Sequence, residues 1–224
     1  MIRDITTVVF DVLGTLVDEP RGIRTSIVDA VGPGHDSDEL LGVWRGHVER
    51  EQRRIARGER EYVDTVTLDH EAAVRVGDTA GVDDPAVIQR LATASQRLSP
   101  WDDAVEGVAR LADRFSVFGL SNAAPETLRG LSAHTGLSWH RALSADAARA
   151  YKPAPEVYAL AVEAAGGDPT RVLMVAAHAW DLRGAQAVGM RTAYVRRPVG
   201  DAPTPADEFD GRFDGLQRLD DALA

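Results

Sequence analysis

Short apolar runs at 7–11, 116–120, 172–176 and 192–195, with a weaker fifth at 141–144, constrain this chain more than anything else in it. Runs of four or five residues without polar alternation predict strands buried on both faces, the habit of parallel sheets. Between them, residue spacing predicts helices over 105–114, 125–135, 155–165 and 182–189, the last ending on a glycine suited to a helix C-terminus. Strand and helix in alternation imply an α/β fold, a three-layer doubly wound parallel sheet.

Nearly a hundred residues separate the first two runs, too many for one crossover helix. Within them, 38–57 reads as an amphipathic helix with Leu40, Leu41, Trp44, Val48 and Ile55 along one side. Residues 63–76 and 85–98 read as further helices joined by a loop at 77–84. The Arg- and Glu-dense stretch 49–61 is expected to be mostly a solvated face. The pattern predicts a core of residues 1–16 and 97–224 with a helical cap, 17–96, inserted after the first strand. The Pro-, Gly- and Asp-rich tail from 198 to 211 predicts a surface loop before a last short helix.

Composition narrows the function. The 224 residues include no cysteine, which excludes disulfides, thiolate nucleophiles and cysteine–zinc sites. A net charge of −10 opposes attachment to nucleic acid or anionic membranes, although a small site can still be locally positive. No apolar run approaches the length of a membrane span. The opening MIRDITTVVF enters a strand without a signal-peptide layout, so a cytoplasmic location is expected.

Ligand sites in doubly wound sheets gather beyond the carboxyl ends of the strands. Asp11, Ser121 with Asn122, and Ala177 with His178 all fall at such ends. Asp11, facing the free amides of the turn that follows it, can stay ionised as a nucleophile or simply cap that turn. Ser121 and Asn122 can bind an anion or cap the helix opened by Pro125. Lys152 can offset charge beside a carboxylate, or be a solvated lysine. Arg45 suits an anion leaving into a dry pocket. It also lies four residues from Glu49, the spacing of an exposed helical ion pair. His178 can order or deprotonate water or serve as a polar pocket wall, and Trp180 can line a pocket or the core.

VVFDVLGTLVD at 8–18, LSN at 120–122, the K-P pair at 152–153 and VLMVAAHAWDLRGAQAVGM at 172–190 resemble, in order, four motifs of the haloacid dehalogenase-like superfamily. The resemblance implies that Asp11 is a covalent nucleophile. Phosphatases of that superfamily carry a second aspartate where this chain has Leu13, and another at Ala177. Asp11 with Asp181 is a thin set for a hard divalent cation. A-W-D at 179–181 and W-R at 44–45 instead resemble the L-2-haloacid dehalogenase branch.

That resemblance implies metal-free, cofactor-free hydrolysis of small 2-haloacids to 2-hydroxy acids through an Asp11 ester. Ser121 and the turn amides of Val12 and Leu13 would hold the substrate carboxylate. Arg45 and Asn122, with Trp180 lining the pocket, would receive the halide. Asp181, Lys152 and His178 would place the hydrolytic water, and Tyr158 matches a tyrosine of the branch. The chain departs from it at Leu13, often aromatic there, at Ala176 for serine and at His178 for asparagine. The rival readings are a magnesium-dependent phosphatase on a small phosphorylated metabolite and a non-catalytic binding protein. The expected partner is a small anion, with no nucleic acid or membrane. Dimers are common for the resemblance.

Overall fold

The computed structural model describes Ile2 and residues 4–224. Six parallel strands form one sheet: β1 (Thr7–Phe10), β2 (Ser116–Ser121), β3 (Arg141–Ser144), β4 (Val172–Ala176), β5 (Arg191–Val195) and β6 (Gly211–Phe213). Their order is β3-β2-β1-β4-β5-β6. β1 therefore lies between β2 and β4, and the chain turns from one half of the sheet to the other at β1. This is the switch point where such sheets bind ligands.

The pleat sends alternate residues to two cores. Val8, Phe10, Val117, Leu173 and Val175 pack on one side, with the helices α5 (Ala104–Ala112), α6 (Pro125–Thr135) and α9 (Leu216–Leu223). Val9, Phe118, Leu120, Met174 and Ala176 pack on the other, with α7 (Pro155–Ala164) and α8 (Ala179–Ala187). Both faces of the sheet are covered, which is why its strands carry apolar side chains at successive positions. The three-layer α/β fold is as expected. The sixth strand lies outside the predicted set: GRF is short and half-exposed, and it pairs only along the sheet edge.

The long insertion holds four helices, α1 (Glu19–Val31), α2 (Ser37–Ala56), α3 (Thr65–Ala80) and α4 (Pro85–Ala92), followed by a short 3-10 turn at Ala94–Gln96. The helix predicted over 85–98 thus ends early. The loop predicted at 77–84 is shorter, because α3 runs through Gly77. A methyl group at Gly77 would meet Ile88 at 2.4 Å and the Val82 carbonyl at 2.6 Å, so this glycine allows helix contact and is not a breaker. No helix is long and apolar enough among the described residues to cross a membrane.

The buried stripe of α2 is Leu40, Leu41, Trp44, His47 and Glu51. It continues through polar residues, where Val48 and Ile55 are only partly buried. The stretch 49–61 is mostly exposed, as expected, with Glu51 the exception. Glu51 is buried and accepts from Arg54 (2.8 Å) and Arg60 (2.9 Å). Arg60 also reaches Glu71 on α3 at 2.6 Å, and His47 Nε2 contacts the same Glu71 at 2.9 Å. Each buried charge has its partner, the condition under which a low-dielectric ion network can persist.

The chain passes between sheet and insertion at two adjacent points, where the Asp18 N–H donates to the Ser99 carbonyl (2.9 Å) and Val17 bridges Pro100. On the far side the insertion is pinned to the core loops. Tyr62 bonds Asp146, the Tyr151 hydroxyl donates to the Val63 carbonyl (2.7 Å), and the Ala124 N–H donates to Thr65 Oγ1 (2.8 Å).

Asp69 on α3 is buried and takes one side-chain bond, from Ser95 Oγ at 3.0 Å. Burial pushes its carboxyl up to about 8 from 3.8. Between those values the folded state holds a proton that the unfolded chain has lost, so stability falls as pH rises through this window. Asp69→Asn should remove that slope. Its unfolding free energy from urea titration should exceed wild type at pH 8 by more than about 1.4 kcal/mol, the worth of one unit, and the gap should close toward pH 4.

Candidate functional site

Asp11 follows β1 directly, and its N–H still donates to the Val175 carbonyl of β4 at 3.0 Å, so its backbone belongs to the sheet. A turn then folds back: the amides of Gly14, Leu16 and Val17 are spent within it. Those of Val12 and Leu13 take no partner among the described residues, which leaves two donors beside the carboxylate. Val12's side chain is fully buried against the sheet, so only its main chain can meet a ligand.

Both Asp11 oxygens are held. Thr15 Oγ1 donates to Oδ2 at 2.7 Å, and Lys152 Nζ donates to Oδ1 at 3.1 Å. Thr15 Oγ1 itself accepts from the Ala177 N–H at 2.9 Å, which directs the hydroxyl hydrogen at Asp11. Lys152 Nζ also donates to Asp181 Oδ2 at 2.8 Å, and Tyr158 donates to Asp181 Oδ1 at 2.6 Å. The ammonium thus lies between two carboxylates, with its side chain 1% exposed. Burial alone would lower the Lys152 pKa, but Asp11 and Asp181 outweigh it and hold the group above its ordinary value. Asp11, Lys152, Asp181 and Tyr158, predicted from three separated stretches, are one hydrogen-bonded chain.

Ser121 ends β2 and its Oγ accepts from the Ala123 N–H at 3.1 Å, leaving the hydroxyl hydrogen free to donate. Asn122 Oδ1 accepts from the Lys152 N–H at 2.8 Å, so its NH2 is likewise available. The fourth motif differs locally from expectation. α8 starts at Ala179, three residues earlier than predicted, placing Trp180 and Asp181 in its first turn. His178 is the residue just before it. A methyl group on Gly14 would lie 2.6 Å from His178 Nε2, so the ring rests against the nucleophile turn. Trp180 is 37% exposed, with its ring 5.8 Å from His178.

Arg45 lies on the outer part of α2, half-exposed, and pairs with Glu49 at 3.9 Å, as its spacing allowed. Its relation to the site runs through Glu19, the first residue of α1. Burial pushes the Glu19 carboxyl up, Arg45 and His178 act against this, and Asp11 and Glu49 add to it. One carboxyl therefore feels the cap arginine, the His178 ring and the nucleophile together.

Several supporting residues had no sequence signal. The Trp101 indole donates to the Gly14 carbonyl at 3.0 Å, and Arg197 Nε donates to the Thr15 carbonyl at 2.9 Å. Arg197 is held in turn by Asp103 at 2.8 Å. Gly184 leaves room for the Tyr158 hydroxyl, which would lie 2.4 Å from an added methyl group. Thr15 stood in the G-T signature, but its bond to the Ala177 amide joins residues far apart in the chain.

Three comparisons with known proteins agree with this geometry. A family model described as haloacid dehalogenase-like hydrolase matches residues 5–189. The (S)-2-haloacid dehalogenase of Xanthobacter autotrophicus is 36% identical over 200 residues, covering 86% of this chain and 76% of that protein. The (S)-2-haloacid dehalogenase 4A of Burkholderia cepacia is 30% identical over 216 residues, covering 88% and 85%. Among solved structures, a defluorinating L-2-haloacid dehalogenase superposes with a TM-score of 0.90 at 30% identity, covering 98% of this chain and 95% of its own. The Xanthobacter autotrophicus enzyme with chloropropionic acid covalently bound gives 0.85 at 30% identity, covering 97% of both chains.

Replacing the central cation should expose what it compensates. Lys152→Met leaves Asp11 and Asp181 buried without a counter-charge and should cost about 3–5 kcal/mol at pH 7. Below about pH 4, where carboxyls take up protons, unfolding curves of variant and wild type should converge.

Proposed function

The chain belongs to the haloacid dehalogenase-like hydrolase family, and from that premise we propose hydrolytic dehalogenation of small 2-haloacids through an ester on Asp11. The observation that carries the reading is the donor set beside Asp11: Leu13 and Ala177, where phosphatases of the superfamily carry aspartates, are apolar, and Lys152 Nζ already bridges Asp11 and Asp181. Among the described residues no group of three or more His, Cys, Asp or Glu is arranged to hold a metal. The donor set does not fit magnesium, so no step is routed through it.

In the proposed reaction the substrate carboxylate is held by the Ser121 hydroxyl and the free amides of Val12 and Leu13. Asp11, ionised between Thr15 and Lys152, attacks C2 opposite the carbon–halogen bond. The new C–O bond forms as the carbon–halogen bond breaks, and the halide leaves toward Arg45, the Asn122 NH2 and the Trp180 wall. Water then attacks the Asp11 ester carbonyl, releasing a 2-hydroxy acid of inverted configuration. Holding reactants in line and presenting fixed charge supply the rate. Helices α1–α4, within residues 17–96, act as a cap over a core of 1–16 and 97–224, keeping solvent out during the first step.

Purified protein should release chloride from L-2-chloropropionate at the same rate with and without EDTA. Asp11→Asn should lower that rate by at least about 10³-fold, since no other route to the ester exists. Phosphate release from p-nitrophenyl phosphate that depends on magnesium, without halide release, would overturn the reading.

A further inference from the structure

We propose that Asp201 and His178 form a carboxylate–imidazole pair in which His178 is the general base for ester hydrolysis and Asp201 the residue that positions it. The proposal rests on the dehalogenase reading and assigns the proton transfer within its second half.

Asp201 lies in the loop between β5 and β6, beyond every motif that marks the site. Gly200 has φ +107°, and a methyl group there would lie 2.4 Å from the Ala177 carbonyl. Only glycine lets this loop descend so closely onto the start of α8. There the Asp201 carbonyl accepts from the Ala179 N–H at 3.1 Å, and its Oδ2 accepts from the Trp180 N–H at 3.3 Å. Asp201 thereby caps α8 from a distance. Capping does not use Oδ1, which is shielded from solvent and makes no hydrogen bond. His178 Nδ1 lies 3.5 Å from it.

The opposite ring nitrogen faces the chemistry. His178 Nε2 borders Gly14, whose missing side chain makes room for it, one turn from the Asp11 carboxylate. With Nδ1–H directed at Asp201, the Nε2 lone pair is left on the nucleophile side. Asp181 accepts from Lys152 and from Tyr158, which holds it beside the ammonium. The charged groups that face the imidazole are Asp201 from the β5–β6 loop and Glu19 from α1.

The step balances without any further reactant. Nε2 takes one proton from water as the water oxygen bonds to the Asp11 ester carbon. Collapse of the tetrahedral species breaks the bond from that carbon to the substrate oxygen. The imidazolium returns its proton to the departing alkoxide, giving the 2-hydroxy acid. Asp11 keeps the water oxygen and loses the remaining proton to solvent.

The test separates the two half-reactions. On mixing with excess L-2-chloropropionate, His178→Ala should give a chloride burst of about one equivalent per site, with turnover down about 10²-fold or more. Intact-protein mass should show the substrate ester accumulating on Asp11. Asp201→Asn retains an oxygen for the Trp180 N–H, so it should keep the wild-type melting temperature and still show the burst. Its turnover should fall by about tenfold or more, with little change in KM. Wild-type turnover in both variants would overturn the proposal, as would a burst and turnover that fall together. Absence of chloride release from wild type would remove the dehalogenase reading itself, an outcome distinct from a normal burst with unaffected hydrolysis.

Discussion

The lysine ammonium buried between Asp11 and Asp181 is the interaction on which the site depends. Three charges in a nearly dry space are tolerable only because each is compensated: two carboxylates by one cation, and their remaining oxygens by the Thr15 and Tyr158 hydroxyls. Asp11 is thereby fixed in direction, with a cation beside one oxygen and a hydroxyl on the other. Beside it, the apolar Leu13 and Ala177 add no further carboxylate.

Around this centre the architecture acts as a clamp. The parallel sheet brings the ends of β1, β2 and β4 together, so the nucleophile, Ser121 with Asn122, and the His178–Asp181 segment meet at one edge. Trp101 and Arg197 hold the carbonyls of Gly14 and Thr15 from behind. Tyr62, Tyr151 and Thr65 fasten the helical insertion to the loops that carry Asn122 and Lys152. Cap position and site geometry are therefore coupled through short hydrogen bonds and not through the apolar core alone. The polar network of His47, Glu51, Arg60 and Glu71 ties α2 to α3 inside the insertion.

Parallel strands and their helices were legible because burial on both faces leaves a short apolar run, and because Pro125 and Pro155 mark helix starts. Asp11, Lys152 and Asp181 were legible because each lies at a strand end or a helix start in a recognisable local string. The edge strand β6 escaped, being three residues long and half-exposed. Helix α1 escaped because its first turn directly follows the nucleophile loop and has few apolar positions. Glu51 and His47 looked like members of a charged surface, since a sequence does not show which helix will cover them.

By itself, the amino-acid order determined the α/β class and singled out Asp11, Lys152 and Asp181 as candidate site residues. These depend on local periodicity and on side-chain chemistry at short spacing, both of which a chain carries before it folds. Tertiary structure decided the rest. It made Lys152 a bridge between two carboxylates, turned Thr15 toward Asp11 through the Ala177 amide, and brought Asp201 behind His178. Each of these is a contact between residues far apart in the chain, created only when the sheet closes and its strand ends converge.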